Sequence, residues 1–230
     1  MSVEWPRLVI CDLDGTLVDS VPDLAHCVDA MMVALDRPAH GEARVREWVG
    51  NGVERLVRRA LVGQLEGEPD EATFERAYPL FLDCYAEHAS RYSRLYPGVV
   101  EGLEVLKARG VPLVCVTNKA ERFTTPLLRD LGLADYFGLV LAGDSLARSK
   151  PDPLPLTHAA AESGVAPGGA LMVGDSVSDV KAARAAGVPV VCMSYGYNHG
   201  NDIRDAAPDA VLDRLDELPA LLDLGLTRAS

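Results

Sequence analysis

Short apolar runs rich in β-branched residues recur along the chain and predict buried strands. Each run ends at a polar residue or a glycine, which is typical of a strand leaving a sheet. The six runs lie at residues 7–13, 111–118, 138–143, 169–175, 188–194 and 209–213. Because they are nearly continuous in apolar character, we expect these strands to be covered on both faces.

Segments with helical spacing separate these runs and end at glycines. They cover residues 98–110, 121–132, 153–164 and 178–187, and Ser178 is the predicted N-cap of the last one. Strand and helix therefore alternate in this part of the chain. The pattern favours an α/β fold built on a doubly wound parallel sheet, with helices on both faces.

The segment between the first two predicted strands has helical spacing and no strand signal. One helix is predicted over residues 21–36 and another begins at Val53. A third pattern, over residues 71–92, contains Pro79, which predicts a break or kink near Tyr78.

This helical segment predicts a division of the chain into two domains. We expect an all-helical insertion at 19–94 and an α/β catalytic core formed by 1–18 and 95–230. An insertion joined to the core by two chain crossings, directly after the first strand, is placed like a lid.

The composition narrows the choice of partners. The chain has 230 residues, is 48% hydrophobic and has a formal net charge of −12 at pH 7. No run of lysine and arginine is long enough to follow a nucleic-acid backbone or an anionic membrane. We therefore expect neither nucleic acid nor a membrane as a partner.

The cysteines and the N-terminal residues indicate the cellular compartment. Five cysteines lack C-x-x-C spacing, so we expect them to be reduced. The stretch "MSVEWPRLVI" has an acidic residue and an early proline, unlike a signal peptide. No apolar run approaches the roughly 20 residues of a membrane-spanning helix. These features predict a cytoplasmic protein.

Two carboxylates, Asp12 and Asp14, follow directly on the first predicted strand. Ligands of open parallel sheets bind beyond the carboxyl ends of the strands, so these side chains are candidate functional groups. A calcium loop of the EF-hand type is excluded, because Gly15 stands at the fourth position instead of the sixth. Taken alone, the pair would suit an ordinary turn.

Three further strand ends carry complementary chemistry. Thr117 and Asn118 follow one strand, Lys150 precedes a proline, and Asp175 and Asp179 flank a predicted helix start. Several carboxylate oxygens at one edge of a sheet suit Mg²⁺, which prefers octahedral oxygen ligation. Hydroxyl and ammonium donors suit phosphoryl oxygens. Together these residues predict a metal-dependent phosphate site.

The stretches "DLDGTLVDS", "TNK", "SKPDP" and "GDSVSD" resemble, in order, the four motifs of the haloacid dehalogenase superfamily. The resemblance implies a Rossmann-like core with a C1-type helical cap. "YPGVVEGLEVLKARG", "TNKAERFTTPLL" and "SYGYNHG" are similar to stretches of the bacterial phosphoglycolate phosphatases. Membership would imply a Mg²⁺-dependent phosphoric monoester hydrolase that converts 2-phosphoglycolate to glycolate and phosphate.

Other activities of the same superfamily stay open at this point. They include a phosphatase for another small metabolite, a sugar-phosphate mutase, and a protein that binds phosphate without catalysis. Dehalogenases lack an acid at the position of Asp14, and phosphonatases use a different residue there. Asp14 therefore favours a phosphate ester as the substrate.

The resemblance also implies roles for single residues. Asp12 would attack phosphorus and form an aspartyl phosphate, while Asp14 would act as general acid and then as general base. Mg²⁺ would be held by Asp12, Asp175 and the backbone carbonyl of Asp14. Thr117, Asn118 and Lys150 would bind the phosphoryl oxygens. Asp179 would orient Lys150 or the surroundings of the metal.

The stretch "GNGVERLVRRAL" predicts where the helical insertion meets the substrate. A glycine-bounded loop around Asn51 opens a helix, and Arg55, Arg58 and Arg59 fall opposite its apolar stripe. A basic face of this kind can simply be solvated. Because the core motifs offer nothing for a substrate carboxylate, we expect Asn51 and Arg55 to recognise it when the lid closes.

Overall fold

The structure, a computed structural model, describes residues 5–225. The strands are β1 (Leu8–Cys11), β2 (Val18–Asp19), β3 (Arg94–Leu95), β4 (Leu113–Val116), β5 (Leu139–Leu141), β6 (Ala170–Gly174), β7 (Val190–Met193) and β8 (Ala210–Leu212). The helices are α1 (Val21–Ala34), α2 (Glu42–Trp48), α3 (Val53–Val62), α4 (Glu71–His88), α5 (Val99–Ala108), α6 (Glu121–Asp130), α7 (Leu154–Glu162), α8 (Val177–Ala186) and α9 (Leu218–Leu224). All six strands predicted from the apolar runs are present.

The main sheet is parallel, in the order β5-β4-β1-β6-β7-β8. The first strand of the chain lies in its middle, where Ile10 is paired with Val114 of β4 and Met172 of β6. The predicted doubly wound α/β class is confirmed. The central position of β1 places the residue that follows it between the ends of two neighbouring strands.

Alternate residues of each strand face opposite sides of the sheet, and both sides are covered by helices. Val9 and Cys11 of β1 join a buried cluster with α5, α6 and α9. Leu8 and Ile10 join a second cluster with α7 and α8. Because the strands are buried on both faces, their sequences are apolar runs without alternation.

Helices α1 to α4 occupy the chain between β2 and β3 and share a third buried cluster. That cluster also contains Phe123 and Tyr197, which belong to segments of the α/β part. The antiparallel pairing of Val18 with Leu95 joins the points where the chain enters and leaves the helical segment. This two-residue ribbon was not predicted from the apolar pattern. The boundaries 19–94 for an insertion, and 1–18 with 95–230 for a core, stay predictions; residues 1–4 and 226–230 lie outside the described residues.

Three local features differ from what the sequence led us to expect. The short helix α2 was not predicted, because Val45 and Trp48 are its only buried residues. The helix α4 continues through Pro79 without a break and ends at His88. The N-cap of α8 is Ser176 and not Ser178, because Ser176 forms a capping box with the side chain of Asp179.

All five cysteines lie among the described residues and carry free thiols; their reduced state in the cell stays a prediction. Within residues 5–225, no helix combines the length and apolar character needed to cross a bilayer. A cytoplasmic location stays a prediction.

Pro79 offers a test of how α4 is stabilised. Proline has no N–H for the helical hydrogen bond, and in a helix interior it is about 3 kcal/mol less favourable than alanine. Proline also restricts the unfolded chain, which offsets about 1 kcal/mol of this difference. We expect Pro79→Ala to raise the free energy of unfolding by about 1–2 kcal/mol, measured by urea denaturation.

Arg76→Ala serves as the control, because Arg76 is an exposed residue of the same helix. Its effect should stay within about 0.5 kcal/mol. A loss of stability in Pro79→Ala would show that the proline ring makes contacts on which the helix depends.

Candidate active site

Asp12 follows β1 at the middle of the sheet and is almost fully buried. Its backbone N–H donates to the carbonyl of Val173 at 2.9 Å, which continues the pairing of β1 with β6. Its Oδ1 accepts from the N–H of Leu13 at 2.7 Å and lies 2.8 Å from Nζ of Lys150. Among the described residues, no donor contacts Oδ2. One carboxylate oxygen is thus held in place and the other is free to react.

Lys150 is buried between two carboxylates. Its Nζ lies 2.8 Å from Asp12 and 2.7 Å from Oδ1 of Asp179. Burial by itself would lower the pKa of Lys150, but the two carboxylates reverse this effect and raise it. Lys150 therefore stays a cation at neutral pH.

Asp179 lies in the first turn of α8 and has no exposed surface. Its Oδ2 accepts from the N–H of Ser176 at 3.0 Å and from the Ser176 hydroxyl at 2.7 Å. The N–H of Asp175 adds a third bond at 3.2 Å. Burial by itself would raise the pKa of Asp179, but Lys150 and these donors lower it. Both oxygens are engaged, so Asp179 is placed to orient Lys150.

Asp175 follows β6 and completes a group of three carboxylates. One oxygen from each of Asp12, Asp175 and Asp179 lies within 4.8 Å of the others. The Thr16 hydroxyl and the N–H of Tyr197 each donate to Asp175 at 2.7 Å.

The three carboxylates repel one another strongly. Burial, with the charges of Asp179 and Asp12, raises the pKa of Asp175 well above its ordinary range. Burial also raises the pKa of Asp12 to about 7, although Lys150 opposes it. One lysine does not balance three carboxylates, so the group suits a divalent cation with oxygen ligands.

Two glycines allow the chain to pass close to Asp175. Gly15 has φ +85°, and a Cβ on it would lie 2.3 Å from Oδ2 of Asp175. A Cβ on Gly196 would lie 2.1 Å from the Cβ of the same aspartate. Any side chain at these positions would displace the carboxylate.

Asp14 is paired with a lysine that sequence reasoning missed. Lys119 Nζ lies 3.2 Å and 3.3 Å from the two oxygens of Asp14. The same Nζ contacts the hydroxyl of Tyr85, which lies on α4. Lys119 is the third residue of "TNK", so its position beside two candidate residues was the available signal.

Thr117 and Asn118 follow β4, but their side chains differ in what they can still bind. Thr117 Oγ1 accepts from the N–H of Lys119 at 3.2 Å, so its own hydroxyl hydrogen is available. The Asn118 side-chain amide donates to the carbonyl of Lys150 at 2.8 Å. Asn118 therefore braces the loop that carries Lys150.

The loop after β7 connects this site to the helical segment. The Tyr197 hydroxyl donates to Asp19 at 2.6 Å and accepts from the N–H of Ser20 at 3.0 Å. His199 Nδ1 lies 2.9 Å from the carbonyl of Glu47. The stretch "SYGYNHG" contains these residues, but nothing in the sequence showed what they would touch.

A cavity of about 450 Å³ opens above these groups, and both parts of the chain line it. Its lining includes eight of the nine sequence-predicted site residues: Asp12, Asp14, Asn51, Thr117, Asn118, Lys150, Asp175 and Asp179. Arg55 does not line it. The guanidinium of Arg55 is instead paired with Glu68 and, at 3.2 Å, with Glu66.

Arg59 does not lie on an outer basic face, as the helical pattern suggested, but is buried. Its Nη1 donates to the carbonyls of Trp48 at 2.7 Å and Gly50 at 3.2 Å. Its Nη2 donates to Oδ1 of Asn51 at 3.1 Å. Arg59 thus satisfies three oxygens of the segment that leads into the loop around Asn51.

Comparisons with known proteins agree with this architecture. The sequence model of the family described as haloacid dehalogenase-like hydrolase matches residues 6–187. A phosphoglycolate phosphatase of Nitrosococcus oceani is 58% identical over 96% of this chain and 98% of its own. Another from Thiobacillus denitrificans is 50% identical over 92% of this chain and 93% of its own.

A solved structure is similar over nearly the whole chain. The crystal structure of a predicted phosphoglycolate phosphatase from Haemophilus somnus has a TM-score of 0.87 and 38% sequence identity. The match covers 93% of this chain and 96% of that chain. The helical segment and the sheet are therefore both included in the similarity.

The carboxylate group predicts that a divalent cation stabilises the fold. At a concentration 100 times its dissociation constant, a ligand of the native state adds about 2.7 kcal/mol. For a chain of this size we expect Mg²⁺ to raise Tm by roughly 5–10 °C. Asp175→Asn should lose most of this shift, measured by calorimetry.

Glu87→Gln is the control, because Glu87 is an exposed carboxylate on α4. This variant should keep the full shift. An equal shift in Asp175→Asn and in the wild type would place the bound cation elsewhere.

Proposed function

The chain belongs to the haloacid dehalogenase-like hydrolase family, and on that premise we propose that it is a Mg²⁺-dependent phosphatase for 2-phosphoglycolate. The products would be glycolate and inorganic phosphate. The observation that carries the proposal is Asp12, which has one carboxylate oxygen held by Lys150 and Leu13 and the other free. The relatives named phosphoglycolate phosphatase support the choice of substrate.

The reaction divides a slow hydrolysis into two displacements at phosphorus. Asp12 Oδ2 attacks phosphorus, the bond to the alkoxide breaks, and Asp14 gives its proton to that oxygen. Water then attacks the aspartyl phosphate while Asp14 takes up a proton, which releases phosphate and restores Asp12. Lys119 holds the Asp14 carboxylate at the cavity, where both proton transfers take place.

The other core residues bind the phosphoryl group. Lys150 places a positive charge beside Asp12, and Thr117 offers a free hydroxyl hydrogen in the same cavity. The Asn118 side chain contributes through its bond to the Lys150 loop. These donors would stabilise the charge on the phosphoryl oxygens as the bonds change.

Mg²⁺ fits the donor set, because the grouped side chains offer only oxygen atoms. Asp12, Asp175 and the backbone carbonyl of Asp14 would hold the ion. When bound, it supplies positive charge that lets a carboxylate approach an anionic phosphate. Asp179 is excluded as a ligand in this proposal, because its oxygens already serve Lys150, Ser176 and the N–H of Asp175.

Asn51 is the proposed contact for the substrate carboxylate. Its Oδ1 accepts from Arg59, so the free end of its side chain is the Nδ2 donor. Gly52, the N-cap of α3, provides no side-chain cap, and both Gly52 and Val53 line the cavity. Free amides at a helix start favour an anion. Arg55, which we expected to share this role, lies outside the cavity.

The nucleophile is tested by trapping. Asp12→Asn should lower kcat by at least about 10⁴-fold, because it removes the proposed nucleophile on which the other residues act. Asp14→Asn removes the acid of the first displacement and the base of the second, so with an aryl phosphate, whose leaving group needs no proton, a phosphoryl group should accumulate on Asp12. Mass spectrometry after acid quench measures this adduct. Turnover in Asp12→Asn, or an adduct on another residue, would contradict the mechanism.

Substrate recognition is tested at Asn51 with residues that can adopt its backbone conformation. Asn51 has φ +64°, which glycine and aspartate accept more readily than alanine. Asn51→Gly should lower kcat/KM for 2-phosphoglycolate about ten-fold more than for a neutral aryl phosphate, because a hydrogen bond to a charged group is lost. Asn51→Asp should lower kcat/KM for 2-phosphoglycolate further, because the new carboxylate would repel the carboxylate of the substrate.

Arg55→Ala is the matched control, because Arg55 lies on α3 but does not line the cavity. It should leave the ratio of the two kcat/KM values unchanged. Equal losses on both substrates in Asn51→Gly would assign the loop to folding or closure instead of recognition.

A further inference from the structure

A second group of metal-binding side chains lies between α1 and α4, outside the proposed catalytic site. His26 and Cys27 are neighbours on α1, and Cys84 and His88 are one turn apart on α4. None of the four lines the catalytic cavity. The family motifs and the proposed mechanism use none of them.

The side chains of this group converge. One ligand atom from each of His26, Cys84 and His88 lies within 4.8 Å of the other two. The centroids of the two imidazole rings are 4.9 Å apart. The Sγ atoms of Cys84 and Cys27 are 2.8 Å apart, closer than an ordinary van der Waals contact of two sulfurs. Two nitrogen donors and the Cys84 sulfur therefore lie close together, and the Cys27 sulfur lies behind Cys84.

The hydrogen bonding of His88 indicates which ring nitrogen carries the proton, and its Nδ1 also lies 4.0 Å from Cys84 Sγ. Its Nδ1 lies 2.9 Å from the carbonyl oxygen of Cys84. Because a carbonyl only accepts, the neutral ring carries its proton on Nδ1 and its lone pair on Nε2. Histidines that bind metals commonly donate their other ring nitrogen to a carbonyl in this way.

The group is also reachable from solvent. His26 is exposed, and Cys84 and His88 are half-buried, while Cys27 is fully buried behind them. An ion could enter from the His26 side and meet the thiol of Cys27 last. The site would then have an open face and an apolar back wall formed by the cluster of α1 and α4.

We propose that His26, Cys84 and His88, with Cys27 as the fourth donor, bind a transition-metal ion of the Zn²⁺ class. Nitrogen and sulfur ligands select such ions over Mg²⁺ and Ca²⁺, which prefer oxygen. Zinc bonds of about 2.0–2.3 Å place neighbouring ligand atoms roughly 3.3–3.8 Å apart in a tetrahedron. The three grouped atoms, within 4.8 Å of one another, would have to draw together to reach that geometry, and the two sulfurs would have to move apart from 2.8 Å. The ion would join α1 to α4.

The test uses Co²⁺ as a spectroscopic substitute for Zn²⁺. The full chain is reduced with a phosphine, and excess Mg²⁺ is added to occupy the catalytic carboxylates. Titration with Co²⁺ should produce a thiolate-to-cobalt charge-transfer band that saturates at equimolar metal and disappears when Zn²⁺ is added. A carboxylate site produces no such band, so the band distinguishes this group from the catalytic carboxylates. The readout is an absorbance and does not depend on phosphatase activity.

Two variants identify the ligands. His26→Ala, at an exposed position, and Cys84→Ser should each weaken Zn²⁺ binding by at least about ten-fold. Changing a residue that only supports a metal ligand already costs about that much, and a lost ligand should cost more. His158→Gln is the control, because His158 is a half-buried histidine on α7. It should bind Zn²⁺ like the wild type. Circular dichroism checks that each variant is folded.

Two results would overturn the proposal. One is the absence of a thiolate-to-cobalt band in the reduced wild type. The other is that both single variants, His26→Ala and Cys84→Ser, bind Zn²⁺ with the affinity of the wild type. Because neither readout measures turnover, failure here leaves the proposed phosphatase function untouched.

Discussion

The arrangement of this molecule depends on keeping several carboxylates close together at the buried ends of neighbouring strands. Asp12 and Asp175 follow β1 and β6, and Asp179 approaches them from α8. Their mutual repulsion is offset only in part by Lys150 and by donors fixed in the backbone. This requirement accounts for β1 in the middle of the sheet and for glycines where the chain passes Asp175. Stability is lower at this site so that charge is available for chemistry.

The core of the site was predictable because parallel strands bring their carboxyl ends to one edge. Asp12, Thr117 and Asp175 each follow a strand directly, so recognising the strands was enough to group them. The strands themselves were clear because burial on both faces leaves an apolar run. The same reasoning placed Lys150 and Asp179 in one cavity.

The features that the sequence did not predict depend on contacts between distant segments. Lys119 meets Asp14 and Tyr85 across long stretches of chain, and no local pattern encodes such a meeting. Arg59 has the spacing of an outer residue but turns inward, because the carbonyls of a nearby loop need donors. Pro79 shows the opposite error, in which a local rule was outweighed by tertiary packing of α4.

Tyr197 lies where two parts of the molecule meet. Its backbone N–H holds Asp175, and its hydroxyl holds Asp19 and Ser20 at the start of α1. A rotation of the helical segment about the β2–β3 ribbon must break the bonds of the hydroxyl or carry the ring, and Asp175, with it. If a cation binds Asp175 and the segment rotates in this way, thermodynamic reciprocity requires that the cation favour one orientation and that this orientation favour the cation by the same factor. One tyrosine would thereby make ion affinity and access to the cavity parts of a single equilibrium.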